Sequence, residues 1–389
     1  MASEAYALGG KTSAESYLKE DLIIEIAKKS GADAIHPGYG FLSENPGFAK
    51  KCQDNDIIFI GPDAKAIDAM GSKSNAKELM QKHKVPTIPG YFGKKQDMKT
   101  LLAEAKKISF PLLIKAAAGG GGKGMRIVRQ EKELKEALEA TKREGKSYFG
   151  SDEIMLEKYF DQVRHIEVQI LGDAHGEVLH LFERECSLQR RYQKVIEESP
   201  SPALNEKLRK EMTQAAVRAA KAINYKNAGT VEFILDEKGK FYFLEVNTRL
   251  QVEHPVTEEV TGLDLVELQI LVAENRPLPI KQKDINLNGY AIECRLYAED
   301  AVQDFLPLSG TLLDWQVNSN QVRVESAMRK GEEISIYYDP MIAKLICHGR
   351  DRHDAQRKML AALKDMYAPG TQTNRSFLIK ILEHQDFQK

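Results

Sequence analysis

Cysteine is scarce in these 389 residues: the four thiols, Cys52, Cys186, Cys294 and Cys347, stand far apart in the chain. No two are spaced as zinc ligands, and they form no dense framework of the kind that staples small secreted domains. A reducing, cytoplasmic setting is the expectation. No apolar run approaches the ~20 residues of a membrane span, and no basic stretch followed by an apolar one opens the chain, so neither a transmembrane helix nor a secretory signal is expected. Charge of one sign is not in excess either, since 56 Lys and Arg face 57 Asp and Glu. With the two signs interspersed, no global field draws the protein to nucleic acid or to a membrane surface. Internal repeats and low-complexity tracts are also lacking.

What is present is length, more than one hydrophobic core usually serves, so two or three domains are expected. Residues 1–70 alternate helix-like and strand-like signals, with helices near 15–30 and 46–55 and short strands at 32–35 and 57–60. That order implies parallel strands. From 72 the pattern becomes a small α+β lobe: helices over 72–82, 99–108 and 131–145, and strands over 111–115, 125–129 and 153–159. Residues 165–172 and 178–185 alternate across a turn as antiparallel strands, and a long helix is expected over 205–223. After a helix over 264–274, the Pro-containing polar stretch 276–288 reads as a linker. Short strands then dominate until a helix at 353–366.

Two features carry chemistry. Residues 119–125 read GGGGKGM between strand-like runs. Four consecutive glycines are entropically costly for an ordinary turn, whereas they let backbone N–H groups converge on anionic oxygens, and nucleotide phosphates are the natural ligand. A P-loop is excluded because Gly124 follows Lys123 where Ser or Thr is needed, and a strand follows rather than a helix. A plain hairpin tip is the competing reading. The second feature is the pair of segments 230–235 and 241–246, joined by 236–240 with Gly239 at the reversal, which reads as a hairpin. Folding it symmetrically sets Glu232 roughly opposite Glu245, each among apolar neighbours. Facing buried carboxylates need a compensating cation, and magnesium held by carboxylate oxygens, phosphates and water fits; a wet hairpin face is the alternative. Alternation carries Asn247, Arg249 and Gln251 onto the Glu245 face, with Glu253 following.

The runs GGGGKGM at 119–125, ERECSLQRRYQKVIEESP at 183–200, EVNTRLQVEHPVTE at 245–258 and HPGYGFLSEN at 36–45 resemble biotin carboxylase across nearly the whole chain. The segment RVESAMRKGEEISIYYDPMIAKL looks more like the acyl-CoA carboxylase branch than the pyruvate carboxylase branch. The resemblance implies a partial N-terminal parallel α/β domain over 1–70, an ATP-grasp domain over 71–283 with a mobile glycine-loop lid at about 91–159, and a C-terminal mainly β domain with a helix over 289–389. It implies ATP, Mg2+ (or Mn2+), bicarbonate and carrier-bound biotin as ligands. Lys73, Lys115, Gly121, Gly122, Met125, His165 and Gln189 match nucleotide contacts, and Glu157, Lys158 and Phe160 the hinge that receives adenine. Glu232, Glu245 and Asn247 match the metal site. Lys194, Arg249, Gln251 and Val252 match bicarbonate contacts, Glu253 the general base, Arg295 the group that steadies the biotin enolate, and Tyr39 a further ligand contact. A carrier protein or domain, a carboxyltransferase subunit and a homodimer are the implied partners, with no nucleic acid and no membrane. The sequence departs from the family in lacking its opening strand, helix and strand with an Asn-Arg-Gly-Glu segment, and any Ala-Met-Lys-Met biotin-attachment motif. Truncation at the N-terminus is therefore expected, with biotin arriving on another domain or chain. Other ligases of the ATP-grasp type, such as a carbamoyl-phosphate-forming domain, and an inert nucleotide-binding fragment are the competing readings.

Overall fold

The computed structural model describes residues 2–117, 124–317 and 320–388. The first elements are α1 (Glu20–Ser30), β1 (Ala34–Ile35), α2 (Pro46–Asp54) and β2 (Ile58–Phe59), and β1 pairs with β2 in parallel as the alternating pattern requires. Acidic residues open α1, lysines close it, and Gly31 ends it at φ 70°, a left-handed conformation that glycine adopts without strain. In α2 the Asn45 side chain accepts from the Phe48 N–H and Pro46 occupies the first turn, a favourable helix start. The helix expected from residue 15 begins only at Glu20; a short 3-10 turn, Ser13–Glu15, precedes it.

Next come α3 (Ala64–Gly71), which the sequence reading lacked, and α4 (Lys73–Lys82). A four-stranded antiparallel sheet follows, ordered β3 (Gly90–Tyr91), β6 (Ile154–Lys158), β4 (Leu112–Ala116), β5 (Met125–Val128), and covered by α5 (Met98–Ile108) and α6 (Glu131–Phe149). Its core joins Leu101, Leu112, Ile114, Leu134, Leu138 and Leu156. Leu134 and Leu138 are one turn apart, which places both on the inward face of α6.

The main sheet has eight strands. Its order is β11 (Phe241–Asn247), β10 (Asn227–Asp236), β7 (Val163–Gly172), β8 (Val178–Arg190), β9 (Gln193–Ser199), β12 (Tyr290–Tyr297), β18 (Met341–Gly349) and β16 (Arg323–Glu325), all antiparallel. On one face α7 (Glu206–Ala222) buries Met212, Ala215, Ala216 and Ala219 against β7 and β8. The small side chains bring the helix close to the sheet. On the same sheet sit α8 (His254–Thr261) and α9 (Leu265–Ala273), while α10 (Arg352–Asp365) and α11 (Arg375–Glu383) cover the far end, with the last turn α12 (Gln385–Gln388) beside α11. Two short ladders, β13 (Glu299–Asp300) with β14 (Leu306–Pro307) and β15 (Gly310–Thr311) with β17 (Glu333–Ile334), complete the mixed α/β fold. The stretch read as a linker carries a 3-10 turn, Gln282–Asp284, and does not divide the sheet, because β12 beyond it pairs with β9 before it. No helix among the described residues is long and apolar enough to cross a membrane.

Leu138→Ala is expected to lower the stability of the four-stranded lobe by about 3 kcal/mol through lost burial and a residual cavity. Amide exchange will accelerate across α5, β4, α6 and β6 while α7 and β10 keep their protection.

Candidate active site

The hairpin forms in the expected register, with Glu232 directly opposite Glu245, and a bulge after Glu232 then skips Leu244 so that Phe233 faces Phe243. The two carboxylates are not equally buried as the apolar flanks suggested: Glu232 is 4% exposed, whereas Glu245 opens to a cleft. Their repulsion is offset from within the protein. Glu232 Oε1 accepts from Lys194 Nζ at 3.1 Å, Asn247 Nδ2 at 2.8 Å and Gln251 Nε2 at 3.0 Å, and its Oε2 lies 3.0 Å from His165 Nε2. Burial alone would raise the Glu232 carboxyl, yet the Lys194 ammonium and the His165 ring hold it well below the usual range. Glu245 is pushed the other way, by partial removal from water and by the Glu232 charge. Among the described residues it makes no hydrogen bond or close ion pair. One anion is thus fixed and the facing one is uncommitted, a set of hard oxygen donors that fits magnesium with Asn247 beside it. His165, Glu167 and Glu232 also bring donor atoms within 4.8 Å of one another. There Lys194 already spans the two carboxylates, so that group is an ion-pair cluster.

Behind Glu232 the sheet face is polar over four strands. Register sets Thr230 beside Gln169, Glu232 beside Glu167, and Glu167 beside Arg184. Arg184 is fully buried and all its nitrogens are used: Nε to Glu167 at 2.6 Å, Nη1 to Gln169 and Thr257, Nη2 to Thr230 and Gln251. Lys194 on β9 donates to Glu167 at 2.6 Å and to Glu253 Oε1 at 2.5 Å. Arg295 on β12 reaches Glu253 Oε2 at 2.9 Å and Glu197 Oε1 at 2.6 Å. Glu253, at the head of α8, leaves its own helix uncapped and turns its carboxylate to these two cations. Burial would raise that carboxyl, but Lys194, Arg295 and Arg184 outweigh burial and keep it far below the ordinary range.

The N-terminal loop reaches the same place. Glu44 accepts from Thr248 N at 2.8 Å and from Arg249 Nε at 2.9 Å, which fixes Arg249 at the cleft wall. Gln189 Nε2 sits 3.2 Å from His165 Nδ1, and the Val252 carbonyl accepts from Lys344 Nζ, whose ammonium lies 5.9 Å from the Tyr39 ring centroid. A cleft of about 630 Å³ is walled by Lys73, His165, Gln189, Lys194, Glu232, Glu245, Asn247, Arg249, Gln251, Val252, Glu253 and Arg295. Twelve of the expected residues therefore share one space. A second group lies on the four-stranded sheet, where Lys115 pairs with Glu157 at 2.5 Å, Lys77 closes on the same carboxylate, and Met125 stands opposite Lys115 in register. Burial and the charge of Lys73 lower the Lys115 ammonium to about 8. Lys158 is tied to the Phe110 carbonyl at 2.8 Å, and Phe160 stacks on Tyr242. Gly121 and Gly122 lie outside the described residues. Another cavity of about 600 Å³, between β8, β9 and α11, contains none of the expected residues.

Sequence reasoning missed Glu44, Lys77, Glu167, Arg184 and Glu197. A signal existed for one of these: in the run Ile166-Glu167-Val168-Gln169-Ile170, polar residues alternate within a strand whose other face is core, which marks Glu167 as part of a second buried face.

Three family models match in consecutive order: Biotin carboxylase, N-terminal domain over 1–67, Carbamoyl-phosphate synthase L chain, ATP binding domain over 72–281, and Biotin carboxylase C-terminal domain over 293–389. The chain is 53% identical over its whole length to the mitochondrial methylcrotonoyl-CoA carboxylase subunit alpha of Dictyostelium discoideum, of which it covers 56%. It is 49% identical, again over its whole length, to Biotin carboxylase 2 of Bacillus subtilis, of which it covers 87%. The chain thus spans about half the length of the methylcrotonoyl-CoA carboxylase relative. A biotin carboxylase–β,γ-ATP complex from Campylobacter jejuni superposes with a TM-score of 0.92 at 46% identity, covering 98% of this chain and 85% of that one. The biotin carboxylase domain dimer of Hydrogenobacter thermophilus 2-oxoglutarate carboxylase, complexed with MgADP, ADP and bicarbonate, gives 0.92 at 46%, covering 100% and 85%.

Arg184→Met is expected to destabilise the chain by about 3 kcal/mol, because Glu167 loses one of its two cations and several buried acceptors lose donors. Adding Glu167→Gln should recover part of that loss in a double-mutant cycle read by urea unfolding; strict additivity would contradict the coupling.

Proposed function

The chain belongs to the biotin carboxylase family, and from that premise we propose that it uses ATP, magnesium and bicarbonate to carboxylate a biotin group presented by a carrier. The acceptor side is proposed to be that of an acyl-CoA carboxylase, since the whole chain aligns with methylcrotonoyl-CoA and propionyl-CoA carboxylase alpha subunits. The observation that carries the reading is Glu253 held between Lys194 and Arg295 at the floor of the cleft that also contains Glu245.

Each side chain then has a task. Arg249 and Lys194 hold the bicarbonate anion, with Gln251 and the Val252 backbone beside them. Glu253, ionised throughout the neutral range, takes the bicarbonate proton as its oxygen is phosphorylated. Its basicity rises at that moment, because Lys194 shares its charge with the incoming anion. Lys115 and Lys73 face the phosphates, and the glycine run 119–124 is assigned to their backbone cradle. Glu232, Glu245 and Asn247 would hold magnesium, which supplies charge neutralisation at the phosphate oxygens. Phe160, with Glu157 and Lys158, is assigned to the base. Once the ureido nitrogen of biotin is deprotonated, the Arg295 guanidinium steadies the oxygen that gains charge, and Tyr39 stands beside that path.

The division into 1–70, 71–283 and 289–389 is supported by the three consecutive family matches. A biotin-bearing carrier and a carboxyltransferase are the proposed partners, and self-association as a dimer is proposed from the Hydrogenobacter neighbour. A reducing compartment is consistent with four free, buried cysteines.

Bicarbonate-dependent ATP cleavage stimulated by free biotin is expected, falling at least 100-fold in Glu253→Gln, the range of one lost acid–base group. Cleavage indifferent to biotin would point to another ligase, and nucleotide binding without turnover to an inert scaffold. Glu245→Gln is expected to raise the magnesium concentration needed for half-maximal rate several-fold, with the bicarbonate dependence unchanged.

A further inference from the structure

One pair of buried acids has no part in the chemistry above. Glu293 on β12 and Glu197 on β9 are directly opposite each other in register, on adjacent antiparallel strands, and both are 0% exposed. Directly opposed side chains on one sheet face lie about 5 Å apart at Cβ. Glu197 uses one oxygen on Arg295. Its other oxygen, and both oxygens of Glu293, are buried without a hydrogen-bond partner among the described residues. Three buried carboxyl oxygens without a partner are costly for two anions directly opposite each other on neighbouring strands, and a proton held by the pair lowers that cost.

The surrounding charges point the same way. From β18, Lys344 faces this space, but its ammonium is committed to Glu325 at 2.6 Å and to the Val252 carbonyl at 2.7 Å. From α8, Glu253 adds a further negative charge, and His254, held near 4 by burial and by Lys344, adds no positive one at neutral pH. Arg295 is already divided between Glu197 and Glu253. Glu258, also on α8, is paired with Arg323. Among the described residues, each cation facing this space is already engaged by another partner.

We propose that Glu293 and Glu197 share a single proton, and that Glu293 is thereby a positioning residue for Arg295, limiting how tightly Glu197 holds the guanidinium that serves the biotin oxygen. The positioning role rests on the function proposed above; the shared proton does not. Burial pushes the Glu293 carboxyl well above its ordinary value, and raises that of Glu197 against the pull of Arg295. With the proton in place, Glu197 meets Arg295 with part of its charge already engaged. Loss of the proton would leave two anions behind the guanidinium and draw it away from the cleft.

The test uses the full chain and Glu293→Gln, which keeps the shape and a hydrogen-bond donor but cannot ionise. Difference infrared spectra of the wild type at pH 8 should contain a protonated-carboxyl stretch that is missing in Glu293→Gln. The variant should keep kcat/KM for free biotin within about twofold at pH 7, with the alkaline decline of the wild type moved up by a pH unit or more. Thermal unfolding supplies a third reading. A carboxyl raised in the folded state makes stability fall as pH climbs above the unfolded glutamate value, so the variant's Tm relative to wild type should grow from pH 5 to pH 8. Absence of the infrared band in the wild type overturns the shared proton. A band that disappears in Glu293→Gln with an unmoved alkaline limb overturns the positioning role alone. Wild-type protein with the band but without biotin-stimulated ATP cleavage sinks the functional reading, and the positioning role with it, while leaving the shared proton established.

Discussion

Everything at the centre of this molecule depends on a polar sheet face largely withdrawn from water, with only its edge open to the cleft. Glu167, Glu232, Glu253 and Glu197 come from four different elements and are answered by three cations, of which Lys194 touches three carboxylates, Arg295 two and Arg184 one. Ion pairs of this kind are weak evidence for stability, because desolvation can cancel the attraction. Their effect is geometric: with every donor shared, no single side chain can turn without leaving a buried charge alone, so Glu253 and Lys194 are held in place before any ligand arrives. That is the preorganisation that charge-developing reactions need.

The same constraint explains the uneven glutamates of the hairpin. Glu232 belongs to the interior network and is fixed as an anion, while Glu245, one register step across, is left to the cleft. Glu245 on its own would be an ordinary surface acid. Set against an anion that cannot move or protonate, it becomes the more basic oxygen donor of the two, which suits a hard cation. The bulge after Glu232 sharpens the contrast by breaking the alternation that would otherwise treat the two strands alike.

Much of this was legible in the chain. The Glu232–Glu245 pairing follows from hairpin symmetry, and the parallel β1–β2 pair from helix–strand alternation. Glu253, Arg249 and Lys194 stood in motifs specific enough to name a family. What escaped was whatever depends on partners distant in sequence. Arg184 and Arg190 look alike as letters in one strand, yet the first is sealed under α8 and the second pairs with Glu299 near the surface. Glu197 and Glu293 are 96 residues apart and meet only because β12 returns to β9 across a stretch that reads as a linker. Local periodicity carries no information about such a return. Nor does it distinguish a buried lysine such as Lys77 on α4, whose worth comes from Glu157 on β6.

The two halves of the candidate site sit on different sheets, and this separates their demands. Lys115, Met125 and Glu157 ride on the four-stranded sheet with its own core, whereas Glu253, Lys194 and Arg295 are knitted into the eight-stranded one. Among the described residues they are joined by the turn from β6 into β7, by a strap near residue 87 where the Phe243 N–H donates to the Pro86 carbonyl and the Lys158 N–H to that of Pro89, by the buried Lys77–Glu157 pair and by the Phe160–Tyr242 stack. A rotation about these points would change the distance from Lys115 to Glu245 while leaving every contact of Lys194 intact. Under the proposed function, having Glu253, Lys194 and Arg295 in the eight-stranded sheet and Lys115 on the separate one would let admission of a nucleotide and a fixed acid–base geometry coexist, since neither requires the other to loosen.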